Sequence, residues 1–260
     1  MLTTTASYSL ISRDFTVALE RKANEPFVAR EAEHYLSRIS EIKTLDEFVE
    51  DSRVFNFAMR AHGLSEMTYA KAFMTKVLKE GIDDPESFAN GLSDTRFRDF
   101  AEVFNFARYS DATTAFGRTQ QETVDKYIRQ TLEEDAGLEN PGVRLALYFE
   151  RRADDITNAF SILADRALLE VVQTVLQLPP SIATQDIDRQ AELIESRIDI
   201  EELKDPEKLG EFLERFTSLW DINNPQSAPV TPSILVGQPI QFGLSASLLT
   251  SLQNMRLGGR

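Results

Sequence analysis

The chain has 260 residues, a formal charge of −14 and no cysteine, which excludes disulfides, thiolate metal sites and cysteine nucleophiles. Its acidity argues against binding a phosphate backbone, which needs clustered Lys and Arg to release counterions, and against anionic membrane surfaces. With 42% hydrophobic and 27% charged residues, it reads as a folded protein with one sizeable core or two smaller ones; no apolar run approaches the ~20 residues needed to cross a bilayer.

The first twelve residues carry no side-chain charge and are rich in Thr and Ser. They lack the charged start and apolar stretch of a secretory signal peptide. Two readings follow, a frayed terminus or an unfolded leader for a secretion machine that uses no cleaved signal. Ile11, Phe15, Ala18 and Leu19 then form a short amphipathic stripe. Residues 1–20 are thus a leader and amphipathic segment, 21–222 a helical body, and 223–260 a Pro-rich arm ending in a short helix.

Helix punctuation runs through the body. Thr44-Leu45-Asp46-Glu47 and Thr119-Gln120-Gln121-Glu122 fit the capping-box pattern, in which hydroxyl and carboxylate satisfy orphan amides reciprocally. Asp84-Pro85-Glu86, Asn140-Pro141 and Asp205-Pro206-Glu207 place an N-cap acceptor before a proline at the first helical position. Gly63, Gly81 and Gly137 sit where C-caps are expected.

Between these marks the apolar residues recur at helical spacing. One stripe is Met67, Ala70, Phe73, Met74, Val77 and Leu78; another is Ile187, Ala191, Ile194 and Ile198; a third is Leu209, Phe212, Leu213, Phe216 and Trp220. The apolar stretch from Val143 to Leu178 predicts a long central helix, with a break near Asp154-Asp155 and a stop at Pro179-Pro180.

Val-Phe-Asn-Phe-Ala occurs twice, at 54–58 and 103–107, with Phe48 and Phe97 at the same offset. This predicts a duplicated helix pair within 44–116, and the missing third copy argues against a solenoid. Phe-x-Phe on a helix places rings on two sides, so such a helix sits between neighbours. The expected fold is all-α, a multi-helix bundle of about eight helices around a long central one, with an extended C-terminal arm and short terminal helices.

In the arm, Pro225, Pro229, Pro232 and Pro239 favour extended backbone. A small hairpin about Gly237 and a last helix carrying Leu244, Leu248, Leu249, Leu252 and Met255 follow. Two readings stand for the apolar ends. Either they pack on the body, or Ile11, Phe15, Leu19, Leu244, Leu248, Leu249, Leu252 and Met255 are adhesive positions that order against a partner or neighbouring subunit.

No catalytic, cofactor or metal site is predicted. Glu31-Ala32-Glu33-His34 has the Glu-x-x-His spacing of di-iron bundles, but Met59 stands where a second copy before His62 would need its glutamate. His34 therefore reads as a solvent-facing residue and His62, before Gly63, as a helix-end residue near exposed carbonyls. Asp186-Ile187-Asp188 starts like a calcium loop, yet Ala191 holds the glycine position. Phosphate loops and nucleophile elbows are missing. The expectation is not an enzyme.

Two stretches are familiar together, Ala58–Leu64 running into Tyr69–Gly81, and Asn140–Arg151; Ala6–Leu10 and Asp84–Asn90 fit them. Over roughly residues 7–216 the chain resembles domain-of-unknown-function family 1217, bacterial proteins commonly encoded among flagellar genes. The resemblance implies a flagellum-associated structural or assembly protein working through protein–protein contacts. It would be exported without a cleaved signal peptide, a part of the rod or hook basal structure, with flagellar proteins or itself as partner, no nucleic acid and no membrane insertion. The alternative is a cytoplasmic binding module, an export chaperone or a regulator of flagellar assembly.

Overall fold

Most helices of this chain start on a polar side chain and bury an apolar face, and the computed structural model, which describes residues 2–225, assembles them around two cores. In chain order the α-helices are α1 (Thr4–Ser12), α2 (Phe15–Ala23), α3 (Pro26–Ile39), α4 (Leu45–Glu50), α5 (Ser52–Ala61), α6 (Lys71–Glu80), α7 (Thr95–Val103), α8 (Phe106–Tyr109), α9 (Gln121–Glu139), α10 (Pro141–Arg152), α11 (Ala159–Ala164), α12 (Arg166–Leu176), α13 (Ile187–Glu195) and α14 (Pro206–Asn223), with short 3₁₀ turns between several of them. No strand occurs among the described residues. The fold is all-α and multi-helical, as expected. The expected hairpin and last helix, with Leu244, Leu248, Leu249, Leu252 and Met255, lie outside the described residues.

The first core gathers α3 to α8 and the start of α9, with Tyr35, Phe48, Phe55, Phe100 and Phe104 fully buried. Each such side chain contributes about 1.5–3 kcal/mol relative to exposure. The second core joins α1 to α10–α14 through Tyr8, Leu147, Phe149, Val171, Leu213 and Phe216. Helix α9 serves both: Val124 and Tyr127 belong to the first core, and Ala136 packs on the second. Helix α1 belongs to the same compact unit as the rest of residues 2–225, so the expected boundary after residue 20 is not a structural one.

The two copies of Val-Phe-Asn-Phe-Ala have different backbones. The first lies wholly inside α5 with Asn56 exposed. Its rings do point two ways: Phe55 meets Phe48 edge-on at 5.7 Å, and Phe57 stacks between Tyr35 at 4.4 Å and Tyr127 at 3.9 Å. The second copy crosses a helix break. Val103 ends α7, and Asn105 is buried and caps α8 by accepting from the Arg108 N–H at 3.0 Å. The segment is therefore not a duplicated helix pair; the copies instead share Phe48, which also stacks on Phe104 at 4.8 Å.

Other local expectations divide by context. The Thr44 capping box forms, and Asn140 and Asp205 cap α10 and α14. Thr119 does not cap α9, because its hydroxyl donates to the Thr113 and Phe116 carbonyls. Asp84-Pro85-Glu86 makes a turn in which Asp84 Oδ1 accepts from the Glu86 N–H, not a helix. Gly63 and Gly81 adopt the positive φ of helix ends. Gly137 lies inside α9, where a Cβ would meet Arg144 Cδ at 2.6 Å.

The expected long central helix over 143–178 is three helices. It breaks at Ala153–Asp155, where anticipated, and again at Asp165, whose carboxylate accepts from the Ala167 and Leu168 N–H groups and so restarts the chain as α12. The longest continuous helices are instead α9 and α14.

Candidate interaction surface

Helix α1 is held by polar contacts at one end and apolar ones along its inner face. Thr3 caps it, accepting from the Ala6 N–H at 3.1 Å. The Asp221 carboxylate, from the end of α14, accepts from the Thr4 and Thr5 N–H groups at 3.0 and 3.4 Å. The buried Thr4 hydroxyl accepts from Asn140 Nδ2 at 2.8 Å. One turn on, the buried Tyr8 hydroxyl donates to Glu150 Oε2 at 3.1 Å. Burial pushes the Glu150 carboxyl up from its ordinary value, and the Tyr8 hydrogen bond opposes that shift.

The predicted N-terminal stripe faces inward. Ile11 and Phe15 are half-buried against the second core, with the Arg129 guanidinium 4.8 Å from the Phe15 ring centre; Leu19 is half-buried on α2. These are the contacts of an end packed on the body. The apolar side chains that reach solvent here are others. Leu10 on α1 is 72% exposed, with Leu2 and Val17 also exposed. Leu138 at 86% and Ile222 at 72% stand within two residues of Asn140 and Asp221, which hold Thr4. Thus Leu2, Leu138 and Ile222 surround one junction of α1, α9 and α14. Nothing local marks Leu10 as the one to be exposed: adjacent helical residues point about 100° apart, yet Val171 and Val172, also adjacent, both lie in the second core.

A cleft of about 1330 Å³ runs between α7 on one side and α10, α12 and Trp220 on the other. Its charges largely hold one another. Arg152 bridges Asp99 at 3.4 Å and Asp155 at 3.1 Å, Arg96 pairs with Asp94 and Glu66, and the Tyr148 hydroxyl donates to Asp165 Oδ2 at 2.5 Å. Burial, then Asp165, raises the Tyr148 phenol above its usual value, so it remains a proton donor.

Elsewhere, buried Glu133 on α9 accepts from Arg129 at 3.2 Å and from Arg151 of α10 at 2.8 Å, fastening α9 to α10. His34 is half-buried on α3. His62 ends α5, but its Nε2 is buried without a hydrogen-bond partner and its ring meets Phe100 edge-on at 5.3 Å. Burial, with the charges of Lys126 and Arg151, depresses it from 6.5 to about 3. His62 thus stands at the helix end, as expected, with its imidazole neutral. Among the described residues no group of three or more His, Asp or Glu side chains is placed to hold a metal ion, and no helix is long and apolar enough to cross a membrane.

Fold and surface together define an all-α, multi-helix protein with apolar side chains displayed around its N-terminal helix. Residues 61–209 match the family described as "Protein of unknown function (DUF1217)", and the chain belongs to that family. It is also similar to the X-ray structure of protein AGR_C_984 from Agrobacterium tumefaciens, with 46% identity and a TM-score of 0.79 over 86% of this chain and 98% of that one. No curated protein matches the chain.

Proposed function

We propose that this chain is a flagellum-associated structural or assembly protein that works through protein–protein contacts and not through catalysis. The observation that supports contact formation is the set of exposed apolar residues about the α1, α9 and α14 junction, Leu2, Leu138 and Ile222, with Leu10 exposed further along α1. Clustered exposed apolar side chains mark association surfaces, whereas scattered ones do not. The flagellar assignment rests on the family resemblance carried by Ala58–Leu64, Tyr69–Gly81 and Asn140–Arg151. Its partners in this reading are flagellar proteins or further copies of itself, at the basal body after export without a cleaved signal peptide.

The test is to fractionate cells and follow the chain with purified basal bodies. The expected result is co-purification, lost in a Leu10→Asp, Leu138→Asp, Ile222→Asp variant that keeps its helical content. A wild-type chain confined to the cytoplasm would overturn the reading in favour of a chaperone or regulator.

A further inference from the structure

We propose that residues 105–120, on the first core, present a rigid docking patch of Tyr109, Phe116 and Arg118 for an acidic segment of another protein, one that sets carboxylates beside apolar side chains. This surface is separate from the α1 junction and the inference does not rest on the flagellar reading.

After the single turn of α8 this stretch contains only 3₁₀ turns up to α9. An irregular surface segment of this length is ordinarily mobile. Here hydroxyls and an amide tie its backbone down. Thr113 Oγ1 donates to the Ser110 carbonyl at 2.8 Å and Thr119 Oγ1 to the Thr113 carbonyl at 2.9 Å. Thr114 Oγ1 donates to the Ile42 carbonyl at 2.6 Å, and the Thr114 carbonyl accepts from Gln120 Nε2 at 2.8 Å. From outside, the Tyr35 hydroxyl donates to the Thr119 carbonyl at 2.6 Å and Thr123 Oγ1 to the Arg118 carbonyl at 2.7 Å. Thr113, Thr114 and Thr119 are fully buried.

This anchoring holds a strained residue. Ser110 has φ 48° and ψ −124°, a region that side-chain-bearing residues avoid at a cost of about 1–3 kcal/mol and that persists where the surroundings over-determine it. The turn there brings the Tyr109 and Phe116 rings edge to face at 5.0 Å. The Arg118 guanidinium lies over both, 4.8 Å from the Tyr109 centre and 4.9 Å from the Phe116 centre. Phe116 is 36% exposed.

The charge of Arg118 identifies the partner's chemistry. Neighbouring Arg108 has Asp83 at 3.5 Å, but among the described residues no carboxylate lies within ion-pair reach of Arg118. Its planar cation is oriented by ring faces, leaving a carboxylate as the complementary ligand. On a chain of charge −14 this is a cation with no direct ion-pair partner among the described residues, although Glu122 Oε1 lies close to neighbouring Gly117. Arg and aromatic residues carry most of the binding energy at protein interfaces, and a surface ordered beforehand avoids the entropic cost of ordering on contact.

The test uses the full chain and a fluorescein-labelled hexapeptide alternating Glu with Leu and Phe, read by anisotropy at low and high salt. A counterpart with Gln in place of Glu is the control. Expected are saturable binding that weakens with salt, about tenfold weaker binding of the Gln peptide, and about tenfold loss in Arg118→Gln with partial recovery in Arg118→Lys. If Arg118→Gln fails to fold, the exposed Phe116→Ala variant is read in its place, with the same expected loss. Absence of saturable binding, or equal binding by these variants and the wild type, would overturn the proposal. So would self-association by sedimentation that Arg118→Glu abolishes, since the occupant would then be a second copy.

Discussion

The Asp221 carboxylate accepts a hydrogen bond from the backbone N–H of Thr4 at 3.0 Å, across 217 positions of sequence. A second bond, to the Thr5 N–H, makes this side chain of α14 a cap for a helix at the other end of the chain. It satisfies amides that Thr3 leaves unpaired and sets a negative charge at the positive end of the α1 dipole. Asp221→Ala should therefore destabilise the protein by about 1 kcal/mol. Amide exchange should rise first in α1; unchanged α1 protection would show that the apolar face alone holds it.

Trp220, the residue before Asp221 on α14, constrains Gly142. A Cβ on Gly142 would sit 2.4 Å from Trp220 Cδ1 and 2.6 Å from Nε1, closer than any real contact. Gly142→Ala should cost about 1–3 kcal/mol as the indole or the start of α10 shifts. Combining it with Trp220→Leu should cost less than the sum of the two changes, and strict additivity in urea melts would refute the clash.

Glu133 is 1% exposed and faces two arginines that keep more of their surface. Removing the carboxylate leaves Arg151 partly buried and unpaired, so Glu133→Ala should lose on the order of 3 kcal/mol. A double-mutant cycle with Arg151→Ala should return a coupling of about 1 kcal/mol or more. Coupling near zero would mean the pair is as weak as an exposed one.

His62 should make the protein acid-sensitive. Its value falls from 6.5 in the unfolded chain to about 3 in the fold, so below pH 6.5 the unfolded state takes up a proton that the folded state refuses. Stability from this residue is complete above 6.5, declines as pH falls, and stops declining below about 3. At pH 5 the loss is about 2 kcal/mol, from ~1.4 kcal/mol per pH unit. His62→Phe, which keeps a ring against Phe100, should remove that part of the acid dependence; identical pH–stability slopes for both proteins would sink the assignment.

Helix content and helix starts were legible because they depend on near neighbours: Thr44 reaches Glu47, Asn140 reaches Gly142, and apolar spacing in α14 follows from its own pitch. Membership of the family was legible for the same reason, in unbroken local stretches. Whether a local signal was used was decided by tertiary structure. Thr119 carries a capping pattern, yet its hydroxyl finds the Thr113 carbonyl in a buried loop. Gly137 resembles a helix end, yet it makes room for Arg144 within α9. The same five residues form a continuous helix at 54–58 and a break at 103–107, because Asn105 is buried where its side chain can cap and Asn56 is not.

Which apolar residues reach solvent also lay beyond the sequence. Ile11, Phe15 and Leu10 are chemically alike, and the Asp221, Asn140 and Glu150 contacts set the rotation of α1 that turns the first two inward and the third out. By itself the sequence determined an acidic, cysteine-free, all-helical member of its family, since composition, capping and 3.6-residue periodicity act within a few residues. Only the tertiary structure decided the two cores sharing α9, the neutral His62 with its buried Nε2, and the displayed patches. Those follow from contacts between residues far apart in the chain, where burial and partner geometry outweigh local preference.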